Sequence, residues 1–309
     1  MTQKTTPVPM NAAVWAQLLI LGAIWGGSFF FARIAVMEIP PITLVLLRVG
    51  IAAVALHLWL AATGQSFAPA LRMAGPLLLL SLFNNVIPFS LIFMGQTQLG
   101  AGLASVLNAT TPFWTALVAS AFLPNERLSA NRIAGVLIGI AGTAVMVGPG
   151  LLTGLGGPAW AKLLLVGASL SYAVAFILAK RITGLAPQLV ATGQLTASTA
   201  IMLPVALFLD GGQGLATVSA GTWGAVLGLA VLATAVAYIL YFRIVAAAGA
   251  SNASLVTLII PASAILLGAV FLGERLEAFE LAGMALIACG LLAIDGRLFR
   301  RRGSHVAAQ

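Results

Sequence analysis

The chain has 309 residues, 61% of them hydrophobic and only 7% charged, whereas soluble domains carry about 25% charged residues. With a mean hydropathy of +1.09, a water-soluble globular fold is excluded, and the bilayer must solvate most of the surface. The formal net charge of +8 then reads as basic residues at helix ends rather than as a nucleic-acid surface.

Backbone groups in hydrocarbon must pair internally, so spanning elements are helices or a closed barrel. The apolar runs are about twenty residues long and do not alternate, which fits helices and not barrel strands. After a short N-terminal segment, 1–11, ten spans are predicted at roughly 12–36, 41–61, 73–95, 100–123, 131–148, 159–180, 187–209, 220–245, 251–272 and 278–297. The first apolar run is too long for a signal-peptide core and lacks a clear cleavage site, so it is read as a span. Turn residues punctuate the series: Pro40-Pro41, Gly64-Gln65-Ser66, Gly148-Pro149-Gly150 and Gly211-Gly212.

Lysine and arginine orient the bundle. With the N-terminus cytoplasmic, the inner ends collect Lys4, Arg72, Arg127, Arg132, Lys180, Arg181, Arg243, Arg297, Arg300, Arg301 and Arg302. The outer ends hold Arg33, Lys162 and Arg275. Both termini are therefore expected inside.

An internal repeat organises the chain. FLPNERLSANRIAGVLIGIAG (122–142) matches FLGERLEAFELAGMALIACG (271–290), pairing Glu126 with Glu274, Gly135 with Gly283 and Gly142 with Gly290. ASVLNATTP (104–112) matches ASLVTLIIP (253–261), Phe93 pairs with Phe242, Gly100 with Gly249, and Arg48 with Gln194, at an offset of 146 to 149 residues. Each half then holds five spans, and an odd number sends the second half into the membrane from the opposite side. The expected architecture is an all-α polytopic membrane protein with ten transmembrane helices as two inverted five-helix repeats: 12–148 and 159–297, joined by a periplasmic linker at 149–158 and followed by a basic cytoplasmic tail at 298–309.

The IWGGSFFFARIAV stretch (24–36), LLRVGIAAVAL (46–56) and the doubled Pro…Glu-Arg-Leu…Gly…Gly pattern resemble the EamA family of the drug/metabolite transporter superfamily, and within it most closely the YddG-type amino-acid exporters. The resemblance covers about residues 12–297. It implies a central cavity lined by the first, third and fourth spans and their mates, the sixth, eighth and ninth. It further implies export of amino acids or related metabolites across a bacterial inner membrane.

On those six spans the substrate-cavity candidates are Trp25, Ser28, Asn84, Asn85, Asn108, Thr111, Tyr172, Tyr238 and Thr257. Hydroxyls and amides in lipid cost free energy unless paired, so some bond neighbouring helices and others line a wet cavity. Phe29, Phe89, Trp114 and Phe176 join Trp25, Tyr172 and Tyr238 as aromatic groups able to stack on an apolar ligand. Pro88, Pro112 and Pro261 lie inside spans and are expected to kink them, the matched Pro112 and Pro261 as hinges. Gly135-x-x-x-Gly139 and the glycines spaced like it read as helix-packing surfaces. Arg48 is the one charge near membrane depth; it is read as a structural intramembrane charge, with carboxylate recognition as the alternative.

Several chemistries lack their residues. The one cysteine, Cys289, permits no intrachain disulfide, and no Cys/His spacing suits a metal. Only His57 and His305 could serve acid–base work, and no Gly-Lys-Ser/Thr loop marks an ATP site. No Asp or Glu falls in the centre of a span: Glu38, Asp210, Glu274, Glu277 and Glu280 sit on the outer side, Glu126 and Asp295 on the inner. The expectation is a transporter and not an enzyme, without cofactor or metal, moving neutral or zwitterionic substrates by facilitation or exchange. Its partners are a small-molecule substrate and the lipid bilayer, with no nucleic acid, and a monomer is compatible with the sequence.

Overall fold

The computed structural model describes residues 11–123, 128–153, 157–211 and 215–295. Lys4, Glu126, Arg127, Gly212, Arg297 and the rest of the basic tail lie outside the described residues. Among the described residues the regular elements are helices. Eleven carry the architecture, with two of them formed by a continuous run through a π-helical segment. They are α1 (Ala12–Ala35), α2 (Pro41–Ala62), α3 (Ala74–Gln96), α4 (Ala101–Asn108), α5 (Thr111–Phe122), α6 (Ala130–Leu152), α7 (Ala159–Arg181), α8 (Pro187–Asp210), α9 (Ala220–Ala248), α10 (Val256–Leu272) and α11 (Ala278–Asp295). Seven of the helices are long and apolar enough to cross a bilayer, and α10 and α11 are shorter apolar helices. Large apolar side chains face outward, Phe208 at 88% and Phe271 at 68% exposure, as a lipid-facing surface requires.

Local chemistry sets the helix ends. The Asn11 side chain accepts from the Val14 N–H at 2.9 Å and caps α1. Pro41 and Pro187 open α2 and α8, where the missing N–H costs nothing. Gly211 closes α8 at φ +63°, a left-handed conformation that glycine adopts without strain. The Gly148-Pro149-Gly150 turn expected after the fifth span does not form: α6 continues to Leu152. A proline near a helix C-terminus removes a single i→i−4 bond, which the preceding turns absorb.

The interfaces come in mates. α2 packs on its equivalent α8, α6 on its equivalent α11, and α4 on α10; the α1–α10 contact has its counterpart in α7–α5, and α2–α9 in α8–α3. The α6–α11 seam shows the symmetry most directly. A Cβ on Gly135 would stand 2.7 Å from the Gly290 carbonyl oxygen, and one on Gly142 would stand 2.8 Å from that of Gly283. The repeat aligns Gly135 with Gly283 and Gly142 with Gly290. Equivalent helices therefore meet antiparallel, Gly135 facing the mate of Gly142 and Gly142 the mate of Gly135, as a two-fold axis across the helices demands. The absent side chains let the backbones touch.

Pro88 sits in the first turn after a π-helical segment, Leu82–Val86, and Pro112 in the first turn of α5, after a break at Ala109–Thr110. Pro112 therefore opens a helix, whereas Pro88 lies within the continuous α3, where the π-segment before it already interrupts the i→i−4 ladder. Pro261 lies inside α10.

Candidate functional site

The two third helices of the repeat, α3 and α9, both carry π-helical segments: Leu82–Val86 in one and Gly228–Val236 in the other. A π-turn adds a residue to the turn and re-aims the side chains that follow, and such segments are frequent at functional sites. In α9 the Thr234 hydroxyl donates to the Leu229 carbonyl five residues back at 2.8 Å. Its oxygen in turn accepts from Arg48 Nε at 3.1 Å. In α3 the Asn84 amide donates to Gln194 Oε1 at 2.9 Å. Arg48 and Gln194 are repeat mates on α2 and α8, so each reaches the π-segment of the opposite half. The contact is duplicated, and only its chemistry differs.

Arg48 is 7% exposed. Its guanidinium carbon lies 3.7 Å from the Phe89 ring centroid and 5.7 Å from that of Phe93. Tyr172 and Tyr238 are the titratable groups within its electrostatic reach. Asn84 and Asn85 face the Tyr238 hydroxyl. Asn85 is fully buried, and neither amide atom has a partner in hydrogen-bonding geometry. Asn108, at the α4–α5 break, also buries an Oδ1 without a partner. Its carbonyl accepts from Ser169 on α7 at 3.2 Å, one turn before Tyr172. Ser171 ties α7 to the α3 π-segment through the Phe83 carbonyl at 2.7 Å. Buried polar groups in proteins are nearly always satisfied; Asn85 and Asn108 are exceptions among the described residues, as are Gln96 Oε1 and Glu280 Oε1.

The structure thus brings Asn84, Asn85, Tyr172 and Tyr238 together around Arg48, with Asn108 on the adjoining face. Trp25 stands apart, its ring 5.5 Å from that of Tyr241, three residues beyond Tyr238. Ser28 is buried on α1. The Thr111 hydroxyl donates to the Asn108 carbonyl at 2.7 Å, and Thr257 to that of Ser254 at 2.8 Å; these hydroxyls serve their own helix starts. Gln194 entered the sequence reading only as the neutral mate of Arg48, Phe89 as one aromatic among several, and Thr234 as one polar residue of the eighth span beside Tyr238. The repeat was the available signal, since Thr234 aligns with Asn85.

Acidic residues gather at one end of the bundle, where three of them cap a helix of the opposite half. Glu38 accepts from the Ser219 N–H at 2.7 Å and from the Ser219 and Thr222 hydroxyls at 2.8 Å each. These donors hold its carboxyl below the usual glutamate range. Asp210 accepts from the Thr43 N–H at 2.9 Å and its hydroxyl at 2.7 Å. Glu274 accepts from the Ala101 and Gly102 N–H groups at 2.8 and 3.1 Å. A cleft of about 590 Å³ opens among Arg33, Glu38, Leu103, Glu274, Arg275 and Glu280. None of the residues around Arg48 lines it. At this end α4 packs on α10 and α1, whereas at the opposite end α5 packs on α6 and α7 and makes no comparable packing with α1, α9 or α10 among the described residues.

The profile of the EamA-like transporter family matches residues 12–148 and again 159–294. The chain belongs to that family. It is therefore a membrane transporter built from two copies of the EamA unit, not an enzyme. It is 28% identical over 296 residues to a probable terminal-alkyne amino-acid exporter of Streptantibioticus cattleyicolor, covering 95% of this chain and 96% of the other. It is 27% identical over 281 residues to a probable amino-acid metabolite efflux pump of Salmonella typhimurium, covering 88% and 91%. A solved crystal structure superposes with a TM-score of 0.66 at 22% identity over 93% of this chain and 99% of that one, which speaks to the fold alone.

Proposed function

We propose that this EamA transporter exports amino acids, hydrophobic or aromatic ones foremost, by alternating access around the Arg48 cluster. The observation that carries the reading is the set of buried polar groups without protein partners, Asn85 and Asn108, together with a buried Arg48 whose guanidinium lies over the Phe89 and Phe93 rings where the halves meet. Hydroxyls and amides suit the polar ends of a zwitterion, and the rings suit an apolar side chain. The names of the two exporters of similar sequence point the same way.

In this reading α4 with α5, and the short helix at Ala250–Ala253 with α10, each make one span, for ten spans in two inverted halves, 12–148 and 159–297, joined at 149–158. Both termini are cytoplasmic, and the acidic end is periplasmic in a bacterial inner membrane. The packing of α4 on α10 and α1 closes the periplasmic side, and the cytoplasmic one opens where α5, seated on α6 and α7, makes no comparable packing with α1, α9 or α10 among the described residues. Pro112 and Pro261 serve as hinges of the matched fourth and ninth spans, while Trp25, Ser28, Thr111 and Thr257 line the cytoplasmic approach. Transport is facilitative or by exchange.

Counterflow into proteoliposomes tests this. Vesicles preloaded with one unlabelled amino acid should accumulate the labelled aromatic or branched-chain amino acid, saturably and independently of an imposed proton gradient. No exchange of any amino acid by folded protein would remove the substrate assignment, and uptake driven by a proton gradient alone would replace exchange with coupling.

A further inference from the structure

We infer that Arg48 is the carboxylate receptor of the transported molecule, so that a free carboxylate, and not the amino group or the side chain, is the feature every substrate must carry. The inference rests on the location of the substrate site proposed above.

Arginine stays protonated at any accessible pH. A buried cation with no counter-charge is costly, and such groups in membranes pair with acids or carbonyls. Arg48 does neither. No acidic side chain among the described residues lies within ion-pairing distance of it, and its Nε–H goes to the Thr234 hydroxyl. Its two Nη groups donate to no acceptor among the described residues, and they are not among the buried atoms that lack all accessible surface. Orientation decides what a ligand must offer. Phe89 covers the guanidinium face at 3.7 Å and Thr234 holds Nε, which leaves the Nη edge as the open side. A planar fork with its face stacked and its edge open is the geometry for a bidentate carboxylate.

The repeat supplies an internal contrast. At the mated position Gln194 is neutral and already engaged by Asn84 at 2.9 Å. The site is thus polarised: one half presents a charged, open donor edge, the other a satisfied amide. A pseudo-symmetric fold therefore binds an asymmetric ligand in one orientation.

The test is competition in two analogue series against wild-type protein, read by counterflow and by thermal shift of the purified transporter. One series is phenylalanine, phenylalaninamide, phenethylamine and 3-phenylpropionate; the other is the matching leucine set. Compounds with the carboxylate should compete, and the amide and amine should be weaker by about 30-fold or more, as for an unpaired buried charge partner. Arg48→Gln, which installs the residue of the mated position, should close that gap to a few-fold while melting near the wild type. Amides and amines that compete as well as the acids in the wild type would overturn the assignment whether or not the variant folds. Competition by 3-phenylpropionate without amino-acid exchange would leave Arg48 in its role and remove the amino-acid reading. Amino-acid exchange with equal competition by the amide would do the reverse, and binding by no member of either series would remove both.

Discussion

Replacing Glu274 by Gln should loosen the closure at the acidic end of the bundle. Gly273, at φ +66°, turns the chain out of α10, and the Glu274 carboxylate then meets the first two N–H groups of α4 in the opposite half. Those groups have no intrahelical acceptor, and the positive end of the helix dipole favours a carboxylate there. A Cβ at position 100 would lie 2.6 Å from the carboxyl carbon, which is why glycine precedes α4. A hydrogen bond to a charged acceptor contributes about 1.5–3 kcal/mol. Glutamine keeps one acceptor, loses the charge and turns an NH2 toward the second N–H. Because the carboxylate is half-buried and partly screened, we take about 2 kcal/mol for the change. That corresponds to a roughly 30-fold shift in the closed-to-open ratio. The assay places a cysteine at Leu103, which is 5% exposed and lines the cleft, in a Cys289→Ala background. Labelling by a membrane-impermeant maleimide added at the acidic end should accelerate about 30-fold in Glu274→Gln. An unchanged labelling rate in a variant that melts and transports normally would refute the latch.

Two further outcomes follow from the geometry. Gly142→Val should lower the melting temperature by the equivalent of about 1–3 kcal/mol of overpacking, because its Cβ would meet the Gly283 carbonyl at 2.8 Å and the Ile287 nitrogen at 2.9 Å. Gly148→Ala, with nothing within 4 Å, should be neutral or stabilising by about 0.5–1 kcal/mol, and equal melting of the two variants would disprove the antiparallel seam. Glu38, whose carboxyl is held below its ordinary value near 4.5, stabilises the fold fully above that value and loses its contribution as pH falls through the depressed folded-state value. The melting difference between wild type and Glu38→Gln should therefore hold constant from pH 7 to 5 and shrink in more acidic solution; a difference that shrinks already at neutral pH would show that other groups set it.

The amino-acid sequence by itself determined the solvent and the repeat. Solvent follows from average composition, and a run of about twenty apolar residues has one stable form in hydrocarbon, the helix. The Gly135/Gly283 and Gly142/Gly290 pairs were legible as packing surfaces because glycine spacing is a local property. Other features depended on contacts between distant segments. Whether a proline kinks a helix depends on the turn before it, and the π-segment ahead of Pro88 and the break ahead of Pro112 carry no distinct local signature. Arg48 could be singled out as an intramembrane charge, but its surroundings, Phe89 across the guanidinium face, Thr234 on Nε and an open Nη edge, belong to three helices. Only the tertiary structure could decide which polar side chains met, because a π-turn re-aims every side chain beyond it and helix packing chooses its partners across 186 residues of chain, the separation of Arg48 from Thr234.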